Sequence, residues 1–318
     1  MKRKHSPKTE WLRISDRQTS VLAFDRSALV LHFGLLIAAT LTLSCGFLRA
    51  ADWNGRVDSH FENGRNWGGS QPPRAGEENQ SLLWVANGGG HPLNYTQEEG
   101  TTVFSEQLII GGSAKGPTGE MRMSGGTIIV KQTFTSFIGQ VNGGKLVVEG
   151  GTLSLLGGGE DTDIMNCDVC WTLVLGNEKT GNGVIEVNGG TVNVENGFQI
   201  GRRGGTGILE VSGTGRFICG GPVLIPGGSG IKCIVLGEGH GGYEQDKNGE
   251  ILFLGDGSQG WFNFKPGSGG KISLSNQQKS YFDGLVAEGR IRIDNQRTTS
   301  SRFIFTQNGN QGEYQLAP

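Results

Sequence analysis

The chain has 318 residues, of which 57 are Gly, 28 are Lys or Arg and 30 are Asp or Glu. Average Gly usage is about 7%, so the composition departs from that of ordinary globular domains. Hydrophobic residues make up 35% of the chain and recur at fixed offsets. The composition therefore excludes a disordered Gly-rich linker and indicates a regular β architecture with glycine at its corners.

The first fifty residues have the pattern of an export signal. Residues 1–26 hold seven Lys or Arg, and no residue from 27 to 48 is formally charged. A basic region followed by an apolar run is typical of a secretory signal peptide, and Leu48-Arg49-Ala50 offers a cleavage point. Two alternatives stay open. The run is long enough to act as an uncleaved signal anchor, and Leu43-Ser44-Cys45 weakly resembles a lipoprotein box. We expect the protein to be exported, to the cell envelope or the extracellular space.

Charge and cysteine content bound the partners of the exported chain. Residues 1–50 contain eight of the basic and three of the acidic residues, which leaves residues 51–318 with a net charge of −7. This charge disfavours nucleic acid and anionic membrane surfaces as partners, and export disfavours cytosolic ones. An even number of cysteines beyond the leader indicates one or two disulfides. The candidates are Cys167, Cys170, Cys219 and Cys233.

Residues 51–106 show no repeat and are expected to form a Trp-rich N-terminal cap. They contain three tryptophans among polar, turn-rich spacers, and a stack of coils needs bulky side chains to cover its open end. The alternative is a carbohydrate-stacking platform built on Trp53 and Trp67. Capping is the preferred interpretation, because a terminal cap is obligatory in a solenoid and a ligand is not.

A repeat of about 25 residues runs through residues 107–275. Each unit has a strand that ends in an apolar–Gly pair, followed by two strands in which apolar and polar residues alternate about a glycine corner. Residues 144–155 are the clearest copy of the two alternating strands. The apolar–Gly pairs are Ile110-Gly111, Ile138-Gly139, Leu175-Gly176, Ile200-Gly201 and Leu254-Gly255.

The spacing of these pairs decides the architecture. Successive glycines lie 28, 37, 25 and 54 residues apart; the last spacing equals two units, and the second equals one unit plus an insertion. Three short strands in about 25 residues make one triangular coil, and stacked coils place equivalent apolar positions above one another. The sequence therefore predicts an all-β, single-stranded parallel β-helix of about six rungs. The preference for right-handed parallel crossovers makes it right-handed.

Two segments depart from the repeat. Between Gly201 and Gly255, residues 233–237 are interpreted as a second copy of the strand that ends at Ile225, and residues 238–249 as a protruding loop. Residues 276–318 are predicted to form a C-terminal cap. Its elements are a short helix over 280–288 stopped by Gly289, and strands at 291–293 and 303–305.

The insertion after Leu155 is the best candidate for a binding loop, because solenoids carry binding residues on loops that extend from rigid coils. It contains four carboxylates able to supply oxygen ligands to calcium. Their spacing matches neither an EF-hand nor a nonapeptide calcium repeat, so a solvated acidic loop is the preferred interpretation. No cofactor other than calcium is indicated. The calcium candidates are Glu160, Asp161, Asp163 and Asp168.

The same insertion contains a C-x-x-C pair, Cys167 and Cys170. A zinc site needs a second pair at suitable spacing, and a redox motif needs a βαβ context; the sequence offers neither. A local disulfide is the preferred interpretation. Cys219 falls at an inward position of the repeat and is expected to be a small core residue.

A catalytic role is the alternative to a structural one, because polysaccharide lyases and hydrolases use this fold. Such enzymes need paired carboxylates or a base beside a calcium site. Glu186 and Glu210 fall at equivalent outward positions on adjacent rungs, about 5 Å apart. They are the candidate acid and nucleophile, although such a ladder is more often exposed polar surface.

The apolar-x-apolar-x-Gly-Gly-Thr phrase resembles the passenger-type repeats of bacterial autotransporters. Asp52-Trp53-Asn54-Gly55 and residues 281–289, Tyr-Phe-Asp-Gly-Leu-Val-Ala-Glu-Gly, resemble the flanks of secreted bacterial repeat proteins. These resemblances imply a secreted or cell-surface protein with a structural or adhesive role. They imply cell-surface or matrix glycans or proteins as partners. A polysaccharide-active enzyme or a carbohydrate-binding module is the alternative function.

Overall fold

The computed structural model describes residues 51–69, 71–74, 78–79, 82–88, 90–112, 118–157, 171–245, 251–254 and 260–318. These residues form an all-β solenoid of about seven turns built from parallel sheets, which confirms the predicted parallel β-helix. None of the helices in these ranges is long and apolar enough to cross a membrane. Several predictions lie outside the described residues: the export signal at 1–50, and Glu160, Asp161, Asp163, Asp168, Cys167 and Cys170.

The first face of the solenoid is an eight-stranded parallel sheet in which neighbouring strands come from successive coils. The apolar–Gly pairs Ile110-Gly111 to Ile200-Gly201 end four of its strands, as the spacing predicts. The strands are Ala51–Trp53, Leu83–Val85, Leu108–Ile110, Ser136–Ile138, Trp171–Leu175, Gly197–Ile200, Val223–Ile225 and Ile251–Phe253.

The second and third faces are formed by the two alternating strands of each unit. Gly119–Gln132 and Gly143–Gly157 are long strands that contribute to both faces. The second face also contains Leu93–Tyr95, Asn182–Val187, Thr206–Gly213, Lys232–Gly239, Gly260–Phe264 and Ile291–Ile293. The third also contains Glu78–Asn79, Thr101–Phe104, Thr191–Val194, Arg216–Cys219, Gly242–Gln245 and Lys271–Ser275.

The core is a set of columns in which equivalent residues of successive coils lie in register. Leu146 pairs with Met121 on one side and Ile185 on the other, and all three are fully buried. Glycine at the corners permits this close stacking. A Cβ atom on Gly144 would lie 2.1 Å from the carbonyl oxygen of Ile110. Ser136, the polar break in the pattern, is also buried; its hydroxyl donates to the Gln132 side chain and accepts the backbone N–H of Leu108.

The stack begins earlier than the sequence suggests. Ala51–Trp53 pairs with Leu83–Val85, and that strand pairs with Leu108–Ile110, so coils are present inside the segment predicted as a non-repeating cap. Leu93–Tyr95 and Thr101–Phe104 complete the other two sides of one of these coils. The solenoid therefore has about seven turns rather than six. Its first turns lack the Gly-Gly-Thr phrase that reveals the later ones.

The irregular unit also differs from the prediction. Lys232–Gly239 is not a second copy of the Val223–Ile225 strand, because it pairs with Thr206–Gly213 on the second face. Gly242–Gln245, predicted as part of a loop, is a strand of the third face. Lys232 is fully buried at the start of its strand, and its Nζ donates to the carbonyl oxygens of Gly230 at 2.7 Å and Gly228 at 3.3 Å. Burial lowers the pKa of this lysine.

The C-terminal end is closed by a helix and a hairpin. The helix is Lys279–Ala287, followed by Gly289 with a positive φ of 74°, as predicted. The Tyr281 hydroxyl accepts the N–H of Ile251, the first residue of the last first-face strand. The hairpin strands Phe303–Asn308 and Gln311–Leu316 run antiparallel, and the second pairs antiparallel with Lys271–Ser275. The described residues also include the two-residue strand Gln296–Arg297 and short 3₁₀ turns at Gly64–Asn66, Gln97–Glu99, Arg202–Gly204 and Ser300–Arg302.

Candidate functional site

The structure brings Glu186 and Glu210 together as the sequence predicts. They are register partners on adjacent strands of the second face, and both side chains point outward and are half-buried. Their environments differ, however. Nζ of Lys145, on the preceding coil, lies 2.8 Å from Oε1 of Glu186. This ion pair compensates the charge of Glu186, so the two glutamates are not an equivalent catalytic pair.

Glu210 instead lines an open cleft of about 830 Å³ at the corner between the second and third faces. We call it the corner cleft. Ser212, Glu238 and Lys265 supply its other polar side chains, and the remaining lining is Gly213, Gly237, Gly239 and Pro266. The cleft thus presents two carboxylates and one ammonium group on three successive coils.

Glycine and an irregular register form the corner cleft. The pairing of Thr206–Gly213 with Lys232–Gly239 shifts between Val211 and Gly213, which leaves one extra residue in the second strand. Gly239 has a φ of 91°, which favours glycine. A Cβ atom on Gly237 would lie 2.7 Å from the Ser212 Cβ and 3.3 Å from Glu210 Oε1. The missing side chain therefore leaves room beside the Glu210 carboxylate.

The hydroxyl of Ser212 has a partner within the fold. It donates to Oδ1 of Asn188 on the neighbouring coil at 2.7 Å. A serine nucleophile would need an adjacent general base, whereas this hydroxyl is bound to a neutral amide oxygen. Ser212 is therefore not an activated nucleophile, and the groups that the corner cleft offers to a ligand are the carboxylates of Glu210 and Glu238 and the ammonium group of Lys265.

The two described cysteines, Cys219 and Cys233, are both buried, and neither forms a disulfide within the described residues. The Cys219 thiol donates to the carbonyl oxygen of Asn196 at 3.2 Å, and its side chain lies in the core as predicted. Cys233 lies on the outward side of the second face. Burial raises its pKa to about 12, against the opposing effect of Arg292 and Lys265. A thiol with this pKa is protonated at neutral pH and is not a nucleophile.

The candidate sugar-stacking residues Trp53 and Trp67 are buried, with exposed fractions of 1% and 3%. Their rings pack edge to face with centroids 5.2 Å apart, and Phe61 packs on Trp67 in the same way at 5.3 Å. The Trp67 indole N–H donates to the carbonyl oxygen of Phe61. Neither ring presents a face to a ligand, and their packing favours the capping interpretation.

Sequence reasoning missed an aromatic and cationic contact beside Cys233. The guanidinium of Arg292 lies 4.2 Å above the ring of Trp261, and the indole N–H of Trp261 donates to Oδ1 of Asn295. Trp261 is the register partner of Cys233, so it borders the thiol on the next coil. The only sequence signal is that Trp261 and Arg292 occupy outward positions on adjacent strands.

Neither a metal site nor a similarity to known proteins assigns a function to the described residues. Within the described ranges, no group of three or more His, Cys, Asp or Glu side chains is placed to hold a metal ion. No protein-family model matches the chain, and no curated protein or solved structure matches it either.

Proposed function

We propose that the protein is an exported bacterial β-solenoid with a structural and adhesive role at the cell surface. The observation that carries the proposal is the uninterrupted parallel ladder of the first face, which runs through eight strands from Ala51–Trp53 to Ile251–Phe253. Seven spacings of about 4.8 Å give a stiff element on the order of 35 Å long. Such a stack presents outward side chains at fixed intervals, a property suited to repeated contacts with an extended partner.

The sequence of residues 1–50 supports export, and the acidic charge of residues 51–318 agrees with a partner other than nucleic acid. The passenger-type resemblance of the Gly-Gly-Thr repeats agrees with a surface location. The partners that we propose are glycans or proteins of the cell surface or matrix. The corner cleft is the contact site that we favour for polar groups of such a partner, because Glu210, Glu238 and Lys265 all line it and Glu238 is exposed.

The proposal is tested in bacterial cells that express the full chain. Protease treatment of intact cells should degrade the protein, and cells should attach to matrix-coated surfaces more strongly than cells that lack it. A variant with Glu210→Gln and Glu238→Gln should be exported equally and attach more weakly. A protein that stays protected inside intact cells would contradict the surface role.

A polysaccharide-active enzyme is the second candidate, because Glu210 and Glu238 both line the corner cleft. Paired carboxylates on one cleft are the minimum for glycoside hydrolysis. Release of reducing ends from acidic or neutral polysaccharides by the wild-type chain, lost in Glu210→Gln, would favour the enzyme over the adhesive protein. Retention of that activity in Glu186→Gln would assign it to the corner cleft.

A further inference from the structure

The C-terminal cap carries a second cleft, of about 570 Å³, where the chain enters the helix Lys279–Ala287. We call it the amide cleft. Apart from Lys279, its lining consists of side-chain amides around one aromatic ring. These residues are Asn276, Gln277, Gln278, Phe305, Gln307 and Asn310.

Backbone contacts fix the walls of the amide cleft. The N–H of Asn276 donates to the carbonyl oxygen of Asn310 at 2.6 Å, which ties the segment before the helix to the tip of the hairpin. Asn276 has a positive φ of 59°. A Cβ atom on Gly312 would lie 2.2 Å from the carbonyl oxygen of Gln277 and 3.1 Å from the ring of Phe305. Glycine at 312 therefore allows the two walls to meet beside the ring.

Most of the amides in this cleft are not used by the fold. Asn276, Gln278 and Asn310 are exposed and Gln277 is half-buried, and within the described part of the chain their side chains form no hydrogen bond. Gln278 precedes the helix as its N-cap residue, yet its side chain does not cap it. The exception is Gln307, whose Nε2 donates to the carbonyl oxygens of Gly309 and Gln311. That pair of bonds orients the Gln307 amide and leaves its Oε1 as an acceptor.

The chemistry of the lining selects for a neutral ligand with many hydroxyl groups. Each amide offers donors and acceptors together, as do sugar hydroxyls. Phe305 is half-buried and packs on Phe282 with ring centroids 5.8 Å apart, so it supplies a fixed apolar surface for the C–H face of a sugar ring. The charge of Lys279 is compensated by Asp283 at 2.6 Å, so the cleft has no free cation to require an acidic ligand.

From these observations we propose that the amide cleft is a binding site for a neutral glycan, such as a hexose or N-acetylhexosamine oligomer. The site lies on the C-terminal cap and is lined by none of the residues of the corner cleft. The inference rests on the proposed adhesive role, since it names the class of partner that such a protein would hold.

The test is calorimetric titration of the purified full chain with neutral oligosaccharides, namely β-1,4-linked hexose and N-acetylglucosamine hexamers. Wild type should bind at least one of them. Gln278→Ala combined with Asn310→Ala should weaken binding tenfold or more. Phe305→Leu, which removes the ring but keeps an apolar side chain, should weaken it at least threefold. Gln296→Ala removes an exposed amide outside the cleft and should bind as wild type does.

Three outcomes would overturn the inference. The first is that neither hexamer binds to the wild-type chain. The second is that Gln296→Ala weakens binding as much as the variants in the cleft do. The third is that the Gln278→Ala and Asn310→Ala double variant binds as wild type does. Circular dichroism and thermal unfolding of each variant distinguish loss of the site from loss of the fold. If cells that express the chain attach to surfaces but neither hexamer binds, this inference fails while the adhesive role stands. If a hexamer binds but attachment does not depend on the protein, the adhesive role fails and the site stands.

Discussion

The core of the solenoid is covered at both ends, but by different kinds of structure. At the N-terminal end, aromatic side chains cover the core. Phe61 and Trp67, on the irregular segment between two strands, pack edge to face on each other. They also pack edge to face on Tyr95 and Trp53, which belong to the strands. The segment is held by Asn66, a buried side chain whose Oδ1 accepts the N–H of Val57 and whose Nδ2 donates to Asp58.

At the C-terminal end the core is covered by a helix and an antiparallel hairpin. The helix Lys279–Ala287 follows the last third-face strand, and the hairpin that ends at Leu316 reverses the strand direction. Phe282 and Tyr314 stack between these elements with centroids 5.0 Å apart. The N-terminal closure therefore depends on a few large side chains, whereas the C-terminal closure is shared by ladder hydrogen bonds and packing. Single substitutions should distinguish the two.

The largest effect is expected for Trp67→Ala. The substitution removes a ring that is 3% exposed, together with its hydrogen bond to Phe61, and should lower the free energy of unfolding by about 3–5 kcal/mol. Urea unfolding followed by circular dichroism measures it. Trp261→Ala is the matched control, because that ring is half-buried on the outside of the second face. It should cost less than half as much, and an equal loss would show that the N-terminal cap is not closed by its aromatic side chains.

A smaller effect is expected at the other end, for Gly312→Ala. The new methyl group would lie 2.2 Å from the Gln277 carbonyl oxygen, so the hairpin must shift, at a cost of about 1–3 kcal/mol. Gly284→Ala is the control in the same cap, since it lies within the helix with no atom within 4 Å. It should raise stability by about 0.5–1 kcal/mol. Thermal unfolding of both variants would contradict the packing argument if the two shifts had the same sign.

The smallest effect is a difference in pH dependence within the N-terminal cap. The backbone N–H of His60 and the side chains of Asn63 and Asn66 lower the pKa of Asp58. Its stabilisation is present above the ordinary pKa of about 3.8 and is lost as the pH falls through the lower folded-state value. Burial raises the pKa of Asp52, so the folded state favours the protonated carboxyl group. The contribution of Asp52 to the free energy of unfolding is therefore present below its ordinary pKa and is lost as the pH rises through the folded-state value.

Unfolding between pH 2.5 and 7 checks these signs. Asp58→Asn should remove part of the acid destabilisation, so its difference from wild type grows as the pH rises. Asp52→Asn should have the opposite sign and stabilise the chain at pH 7 relative to wild type. Parallel pH profiles for both variants would refute the assignment of the two carboxylates.

The sequence predicts the middle of the solenoid well because each coil there repeats the same pattern of inward apolar residues and corner glycines. The inward positions Leu146, Val148, Leu153 and Leu155 are all fully buried. The register of Glu186 with Glu210 follows from the same spacing. Alternation with period two and glycine at the corners are local signals, and they suffice where each coil copies its neighbour.

The prediction fails where burial comes from tertiary contacts. The apolar–Gly pair Leu254-Gly255 predicts an inward position for Leu254, but Leu254 is exposed, and Ile251 and Phe253 are the register partners of Val223 and Ile225 instead. No local pattern predicts that Lys232 is buried with its ammonium group on backbone carbonyls. The corner cleft and the amide cleft are also absent from sequence reasoning, since each joins residues that are distant in the chain.

The corner glycines have a consequence for how this protein can change over evolutionary time. Gly176 and Gly201 end the same side of successive coils, 25 residues apart, with similar φ values of 72° and 74°. The two strands that end at these glycines pair in register over their last three residues, Leu173 to Leu175 with Phe198 to Ile200, and the register shifts before Leu173. Duplication or loss of one such unit would bring equivalent edges together and leave both caps intact. The number of coils, and with it the length of the solenoid, can therefore vary while the sequences of the two caps stay the same.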